Sequence, residues 1–501
     1  MGCEKLAARG KRGSSSLPGL RGATAGGKMR RWAEISDVFL MDRRSTILFF
    51  SLAGILAVVT KLFMFWQVDI LQLIVVLATL LLLLIPVSRP DIMLLLLLGA
   101  YLALGRPFSH IQLAPGPVPL YPGEAALAIL TITVIYRNLK HPELLIQNLP
   151  YKKHVTLLLL VGMISLIRGL PSGGVEAVRS YAVIYYILFL WLVPSLVRSP
   201  KQLTWAINFL LCICVLVALA LVVAFDYMVN PSRDFGNPPV AYAMTTGLLL
   251  FFLFLYAVYR FPKWQWMAAL LPLPLFLALR LQTRTAWMGF GSAFLVLLLG
   301  IKRREISRRA VPILLAAAVL VVVIIAGIGK AVPDVAESLQ RKFSSIYRVS
   351  DMQGAEAANE RWRLDYWQDI LGQTKESPLL GIGFGTPFLG PRLLERGWEK
   401  MDERAQHSSS HNSYLGILLY AGIPTLLIYL ALVFRIIRDH LKSIRQIKDP
   451  HLQMQGWWLL AGFVCIVTAT NFSPILETPY VGILNWSIAG ALAATNRWKN
   501  A

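Results

Sequence analysis

A polar run passes directly into an apolar segment at Ser408-Ser-Ser-His411-Asn412-Ser-Tyr414-Leu-Gly-Ile-Leu-Leu-Tyr-Ala-Gly422-Ile-Pro424. The apolar segment continues towards Phe434. It therefore holds about 20 residues, which is enough to cross about 30 Å of hydrocarbon as a helix. His411 and Asn412 lie where this helix leaves the bilayer. What the chain does depends on which side of the membrane that is, and on what other residues reach it.

The composition of the whole chain is that of a membrane protein. Of its 501 residues, 56% are hydrophobic and only 15% are charged, and the mean hydropathy is +0.59. A soluble domain carries about 25% charged residues. The pattern predicts an all-α, polytopic transmembrane helical bundle with about 12–14 spans. Fourteen apolar segments can be drawn, at 45–66, 69–87, 91–105, 123–137, 154–168, 176–197, 203–225, 237–259, 264–280, 284–301, 310–328, 412–434, 457–471 and 476–495.

The net charge of +22 is explained by the loops between these spans. With the basic N-terminus inside, every strongly basic short loop falls on the cytoplasmic side, as the positive-inside rule requires. We therefore expect no nucleic-acid partner. The predicted organisation is a basic, disordered cytoplasmic N-terminus, eleven spans, a large external loop, and three more spans with a short cytoplasmic tail, at 1–44, 45–328, 329–411 and 412–501. No cleavable signal peptide is expected, because the segment from Ser45 is long enough to span.

The long external loop carries two local patterns. Residues 359–371 place Trp362, Tyr366, Trp367, Ile370 and Leu371 on one face of a helix, which can lie on the membrane surface or on the bundle. Pro378-Leu-Leu-Gly-Ile-Gly-Phe-Gly385 then breaks the helix. A tight turn with positive φ angles is favoured here over a phosphate-binding loop, because no G-x-x-x-x-G-K follows. A loop of this length inside a membrane domain is usually functional.

Several ionisable residues lie at predicted outer helix ends, and the arginines among them run against the positive-inside bias. Arg179, Arg284 and His411 begin the sixth, tenth and twelfth spans. Each arginine alone can be explained by snorkelling or by pairing, as of Arg179 with Glu176. As a set they predict an anion site, since guanidinium groups fit phosphate oxygens in a bidentate manner. A neutral His411 can accept a proton from an attacking hydroxyl, although a helix-start histidine often only bonds a neighbour.

Metal and disulfide chemistry is not expected from this sequence. The cysteines Cys3, Cys212, Cys214 and Cys465 have no metal-ligand neighbours, and three of them lie in apolar segments. No Asp-x-Asp pair or His-rich cluster is present, and no carboxylate pair is spaced for a glycosidase. We predict no cofactor and no metal.

Taken in order, these motifs resemble those of the O-antigen ligase and O-antigen polymerase membrane proteins. The resemblance covers about residues 170–490. It is carried by five short segments: Phe235-Gly-Asn-Pro238, Thr283-Arg-Thr-Ala286, Arg361 to Trp367, Pro378 to Gly385, and His411-Asn412-Ser-Tyr-Leu415 with Gly422-Ile-Pro424.

This resemblance implies a type C glycosyltransferase fold in the bacterial cytoplasmic membrane, with an active site that faces outward. It implies a donor glycan on undecaprenyl pyrophosphate, a glycan or glycolipid acceptor, His411 as the base, and Arg179 and Arg284 as pyrophosphate ligands. Further candidate contacts to the glycan or acceptor are Arg361, Arg363, Asn412, Tyr414, Asn237 and Glu477. Trp362 and Trp367 can stack on sugars, but interfacial anchoring is the simpler interpretation.

Two alternatives stay open at the level of sequence. A ligase passes the glycan to a lipid A core and a polymerase passes it to another lipid-linked repeat, with the same chemistry; a protein acceptor fits equally. A lipid-linked oligosaccharide flippase or other secondary transporter also has a similar number of spans. A transporter should place its charges near the bilayer midplane on broken helices, whereas here they gather at outer helix ends.

Overall fold

Helices and the turns that join them make up the described part of the chain. The computed structural model describes residues 89–104, 106–109, 111, 113, 120–140, 149–223, 284–300, 355–395 and 410–499. All of them belong to one compact unit, Ala57–Ala501.

The described residues contain fourteen α-helices. Their bounds are α1 Pro90–Leu104, α2 Arg106–Ser109, α3 Pro122–Lys140, α4 Lys152–Gly173, α5 Val175–Ser180, α6 Ala182–Tyr185, α7 Phe189–Leu196, α8 Pro200–Val223, α9 Arg284–Gly300, α10 Ala355–Glu376, α11 Pro391–Glu395, α12 Ser413–Ser443, α13 Pro450–Ala469 and α14 Pro479–Thr495. Short 3-10 turns lie at Tyr186–Leu188, Ile444–Gln446 and Asn496–Trp498.

The predicted polytopic, all-α bundle is confirmed. By length and composition, four described segments can cross a membrane: Lys152–Gly173, Val175–Leu196, Ser413–Gln446 and Pro450–Ala469. The full number of spans stays a prediction, because five of the predicted segments lie outside the described residues: 45–66, 69–87, 237–259, 264–280 and 310–328.

Two helices run farther than the apolar pattern indicated. The segment drawn as 154–168 belongs to the 22-residue α4, and α12 continues past Phe434 to Ser443. A helix need not end where the apolar residues end, because charged side chains at its surface can pair along the same helix. In α12, Arg435 pairs with Asp439 at 3.5 Å.

The core of the bundle is centred on α14. Trp486 is fully buried, and its ring meets Tyr429 of α12 at 5.7 Å and Phe463 of α13 at 6.3 Å between centroids. Aromatic pairs at these separations add to the stability that burial alone provides. α7 and α13 pack on α14, while α9 packs on α13 and α4 on α12. This packing fixes the relative positions of the helix ends at which the candidate residues lie.

Candidate functional site at one end of the bundle

Helix ends that were predicted to lie outside meet at one end of the bundle. The backbone N–H of Ser413, at the start of α12, donates to the carbonyl of Thr470, just after α13, at 3.1 Å. α9 runs antiparallel to α13, since its Gly289 packs against Cys465 and its Gly300 against Trp457. The start of α9 at Arg284 is therefore at the same end as the start of α12; the side chain of Arg284 lies outside the described residues.

His411 occupies a sharp turn that leads into α12. Its φ angle is +51°, in the left-handed region that side-chain-bearing residues seldom adopt. The residues on both sides hold this turn. Asn412 is the N-cap of α12, and its side-chain oxygen accepts from the N–H groups of Tyr414 and Leu415 at 3.0 and 3.2 Å. On the other side, the indole N–H of Trp367 donates to the carbonyl of Ser410 at 2.8 Å.

The environment of His411 keeps its imidazole neutral. The half-buried ring meets the edge of Trp362, with 5.3 Å between centroids and an interplanar angle of 89°. Burial and, after it, the positive charge of Arg363 lower the pKa of His411 to about 4. Both causes disfavour the imidazolium form. At physiological pH the neutral ring can therefore accept a proton, as a base must.

Arg363 is the arginine that the structure brings to His411. It lies on α10, and its Nε is buried with no hydrogen-bond partner among the described residues. A buried donor without an acceptor is costly, and a guanidinium group binds oxyanions well. The arrangement thus offers a cation and an unused donor to an anion beside the histidine. Arg361, two residues earlier, is exposed on the same helix.

The glycine-rich segment after α10 is a tight turn, as the sequence favoured. Gly381, Gly383 and Gly385 have φ angles of +63°, +96° and +71°. The N–H of Gly383 donates to the carbonyl of Tyr420 in α12 at 3.0 Å, and the N–H of Phe384 donates to the carbonyl of Ser165 in α4 at 3.1 Å. The turn therefore joins the loop to both helices and fixes where α10 stands over His411.

Arg179 is engaged within the protein. Its guanidinium group donates to Glu176 and to the hydroxyl of Tyr121, and its carbon lies 5.3 Å from the Tyr121 ring centre. This is the pairing with Glu176 that the sequence offered as the simpler explanation. To bind a pyrophosphate, Arg179 would have to share or exchange these partners.

The remaining predicted contacts fall in different places. The hydroxyl of Tyr414 donates to the carbonyl of Val467 at 2.9 Å, so this side chain braces α12 on α13, and the amide oxygen of Asn412 is used in capping. Asn237 lies outside the described residues. Glu477 lies in the loop between α13 and α14, at the same end as His411.

The two tryptophans of α10 are functional candidates that the sequence interpretation undervalued. Interfacial anchoring was preferred for both. The ring of Trp362, however, stacks on Tyr366 at 5.3 Å and borders His411, and the indole N–H of Trp367 donates to the carbonyl of Ser410, the residue before His411. The predicted face of α10 packs on the bundle through Tyr366 and Ile370, but Leu371 is 51% exposed and does not belong to it. Spacing in the helix indicated the face, whereas the bond to Ser410 had no local signal.

The described residues hold no group of three or more His, Cys, Asp or Glu side chains that could bind a metal ion. Fold and site together define a polytopic helical membrane protein with a histidine, an arginine and aromatic side chains at one end of its bundle.

The comparison with known families agrees with this class. The family model described as O-antigen ligase matches residues 267–430, roughly a third of the chain. The match confirms the resemblance that the short motifs indicated, and at a coarse level it supports an O-antigen ligase-like membrane glycosyltransferase. Arg284, Arg363 and His411 lie within the matched residues, whereas Arg179 and Glu477 lie outside them. No curated protein matches the chain.

Proposed function

We propose that this protein transfers a glycan from undecaprenyl pyrophosphate to an acceptor hydroxyl at the outer face of the cytoplasmic membrane. The observation that carries the proposal is the turn at His411, where a neutral imidazole borders a buried arginine donor at the end of the bundle where α9 begins. A base beside an anion-binding cation is what displacement of a lipid pyrophosphate needs.

In the proposed reaction the acceptor hydroxyl attacks the anomeric carbon of the lipid-linked sugar. The bond from that carbon to the pyrophosphate oxygen breaks, and the pyrophosphate leaves with the electron pair. His411 takes the hydroxyl proton, while Arg284 and Arg363 stabilise the growing negative charge. Direct displacement inverts the anomeric centre. Arg179 can join these ligands only by giving up part of its contact with Glu176 and Tyr121.

The polar groups of the site supply these steps without a cofactor or a metal. A pyrophosphate is a good leaving group, so charge stabilisation and positioning are the main demands on the protein. Arginine side chains meet the first demand with permanent charge and forked donors. Positioning is provided by the hydrogen bonds of Ser410 and Asn412, because they fix the backbone on both sides of His411.

The rival function is a flippase or other transporter of lipid-linked oligosaccharide. In a transporter the charged groups should lie near the middle of broken helices. Here His411 precedes the apolar part of α12, and Arg363 lies on the loop helix α10. Neither residue lies inside a segment that can cross the membrane, which supports the transferase.

Release of undecaprenyl pyrophosphate from a lipid-linked glycan donor by the purified protein tests this proposal. We expect release that depends on the acceptor, and a loss of roughly 10²–10⁴-fold in His411→Ala. The matched control is His451→Ala, an exposed histidine at the start of α13, which should keep full activity. Donor that crosses vesicles intact, without release in the presence of a lipid A core, a lipid-linked repeat or a protein acceptor, would identify a transporter instead.

A further inference from the structure

The loop between α13 and α14 is fixed to the turn that carries His411. Besides the bond from Ser413 to Thr470, the N–H of Leu476 donates to the side-chain oxygen of Ser413 at 3.4 Å. Glu477 is the next residue. Its position relative to the start of α12 is therefore determined by two bonds to Ser413.

The carboxyl group of Glu477 points along the start of α12. One of its oxygens lies 3.0 Å from the place where a Cβ on Gly416 would stand, and the hydroxyl oxygen of Ser410 lies 3.2 Å from the same place. The distance between the Glu477 carboxyl oxygen and the Ser410 hydroxyl oxygen is therefore at most the sum of these two distances. Ser410 immediately precedes His411, so Glu477 belongs to the same end of the bundle as the proposed base.

No partner within the described residues stabilises an ionised Glu477. Its neighbours among the described residues include the Ser410 hydroxyl and the phenol of Tyr420, and neither of these groups is a cation. The first turn of α14 favours a negative charge by about 0.3–1 kcal/mol. Burial outweighs that effect and raises the pKa of Glu477 to about 8. At neutral pH the side chain is therefore mostly the neutral acid.

We propose that Glu477 meets the donor as a neutral carboxylic acid and donates a hydrogen bond to an oxygen of its pyrophosphate. The inference rests on the proposed function and adds a ligand to it. A carboxylate at this place would repel the pyrophosphate, whereas the acid supplies a donor without another cation. The proton stays on Glu477 throughout, so Glu477 is neither the base nor a proton donor to the leaving group.

The inference predicts a particular pH dependence of anion binding. If only the neutral acid binds, the apparent dissociation constant rises about tenfold between one unit below and one unit above the pKa of Glu477. His411 and Arg363 do not produce the same change. The pKa of His411 is about 4, far below this range, and an arginine keeps its charge.

The experiment measures binding of inorganic pyrophosphate and of sulfate to the full-length protein in detergent, by calorimetry, at those two pH values. Sulfate keeps its charge over this range, and the titration of pyrophosphate itself cancels in ratios between variants. We expect the tenfold loss in the wild type and a flat affinity in Glu477→Gln, whose amide imitates the neutral acid. Glu376→Gln, a change at an exposed carboxylate at the end of α10, should behave as the wild type.

Several results would overturn this inference. They are a flat wild-type affinity for sulfate, the same pH dependence in Glu477→Gln, or a Glu477→Gln protein that releases no undecaprenyl pyrophosphate while the wild type does. The wild-type sulfate titration decides alone if Glu477→Gln fails to fold. A wild type that shows the tenfold change but never turns over a donor would refute the transferase and leave the anion site in place, which keeps the two failures distinct.

Discussion

Replacement of Gly383 by alanine tests whether the glycine-rich turn holds the site together. The φ angle of Gly383 is +96°, and a Cβ there would stand 2.6 Å from the nitrogen and 2.7 Å from the Cα of Gly169 in α4. The backbone conformation costs alanine about 1–3 kcal/mol. Ordinary contacts between such atoms are about 3.5–4 Å, so α4 and the turn must also separate, at about 1–3 kcal/mol more.

A loss of roughly 2–6 kcal/mol is a large part of the stability of an ordinary protein, about 5–15 kcal/mol. Two other glycines provide the matched series. Gly174 has φ and ψ angles of +51° and −123° but open space around it, so Gly174→Ala should show only the backbone cost, about 1–3 kcal/mol. Gly372 lies in α10 with open space and helical backbone, so Gly372→Ala should gain up to about 1 kcal/mol.

Thermal unfolding of the three purified variants in one detergent, followed by circular dichroism, gives the order of stability. We expect Gly372→Ala at or above the wild type, Gly174→Ala below it, and Gly383→Ala lowest of the three. Equal midpoints for Gly383→Ala and Gly372→Ala would refute the inference that the turn fixes α10 and α12 on α4.

Four further predictions concern the site and its orientation. Trp367→Phe keeps an aromatic side chain but loses the N–H bond to Ser410, worth about 0.5–1.5 kcal/mol, so the rate of transfer should fall roughly two- to tenfold with donor affinity unchanged. Arg363→Gln should raise the pKa of His411 and move the acid limb of kcat/KM to higher pH, whereas the exposed Arg361→Gln should leave that limb in place. Turnover should survive a chelator, and restoration of lost turnover by magnesium or manganese would contradict the assignment of charge stabilisation to arginines. A cysteine at the exposed Leu379 should react with an impermeant thiol reagent in whole cells, and a cysteine at the exposed Lys448 should not.

The helices were predictable because their signal is local. The apolar segments predicted α1, α3 and α8 to within about three residues at each end, and α13 to within about two helical turns. They could do so because a segment in a membrane must satisfy its backbone hydrogen bonds within itself, as a helix does. The glycine-rich turn was predictable for the same reason, because three glycines in five residues indicate positive φ angles. The end of α12 was not, because a helix continues past the apolar segment when charges pair along it.

The composition of the site was only partly predictable, since it depends on contacts between distant segments. His411 and Arg363 are 48 positions apart, and nothing in the sequence between them indicates that α10 lies on the start of α12. Arg179 attracted attention because it begins an apolar segment, yet Glu176 and Tyr121 engage it. The position of an arginine in the sequence predicts the end of a helix at which it lies. The partner that it binds depends on how the helices pack, which the sequence does not indicate.

The low pKa of His411 couples the proposed base to binding of the proposed anion. A base with a pKa of about 4 is weak at neutral pH, which by itself disfavours proton transfer. One of its two causes is the charge of Arg363, and a bound oxyanion offsets the effect of that charge, since a negative charge stabilises the imidazolium form. Each unit of pKa gained is about 1.4 kcal/mol of additional interaction with the protonated ring. The acid limb of kcat, which reports the bound state, should therefore lie at higher pH than that of kcat/KM, which reports the free protein. A base that becomes strong only when the donor is in place also avoids activating water in the empty site.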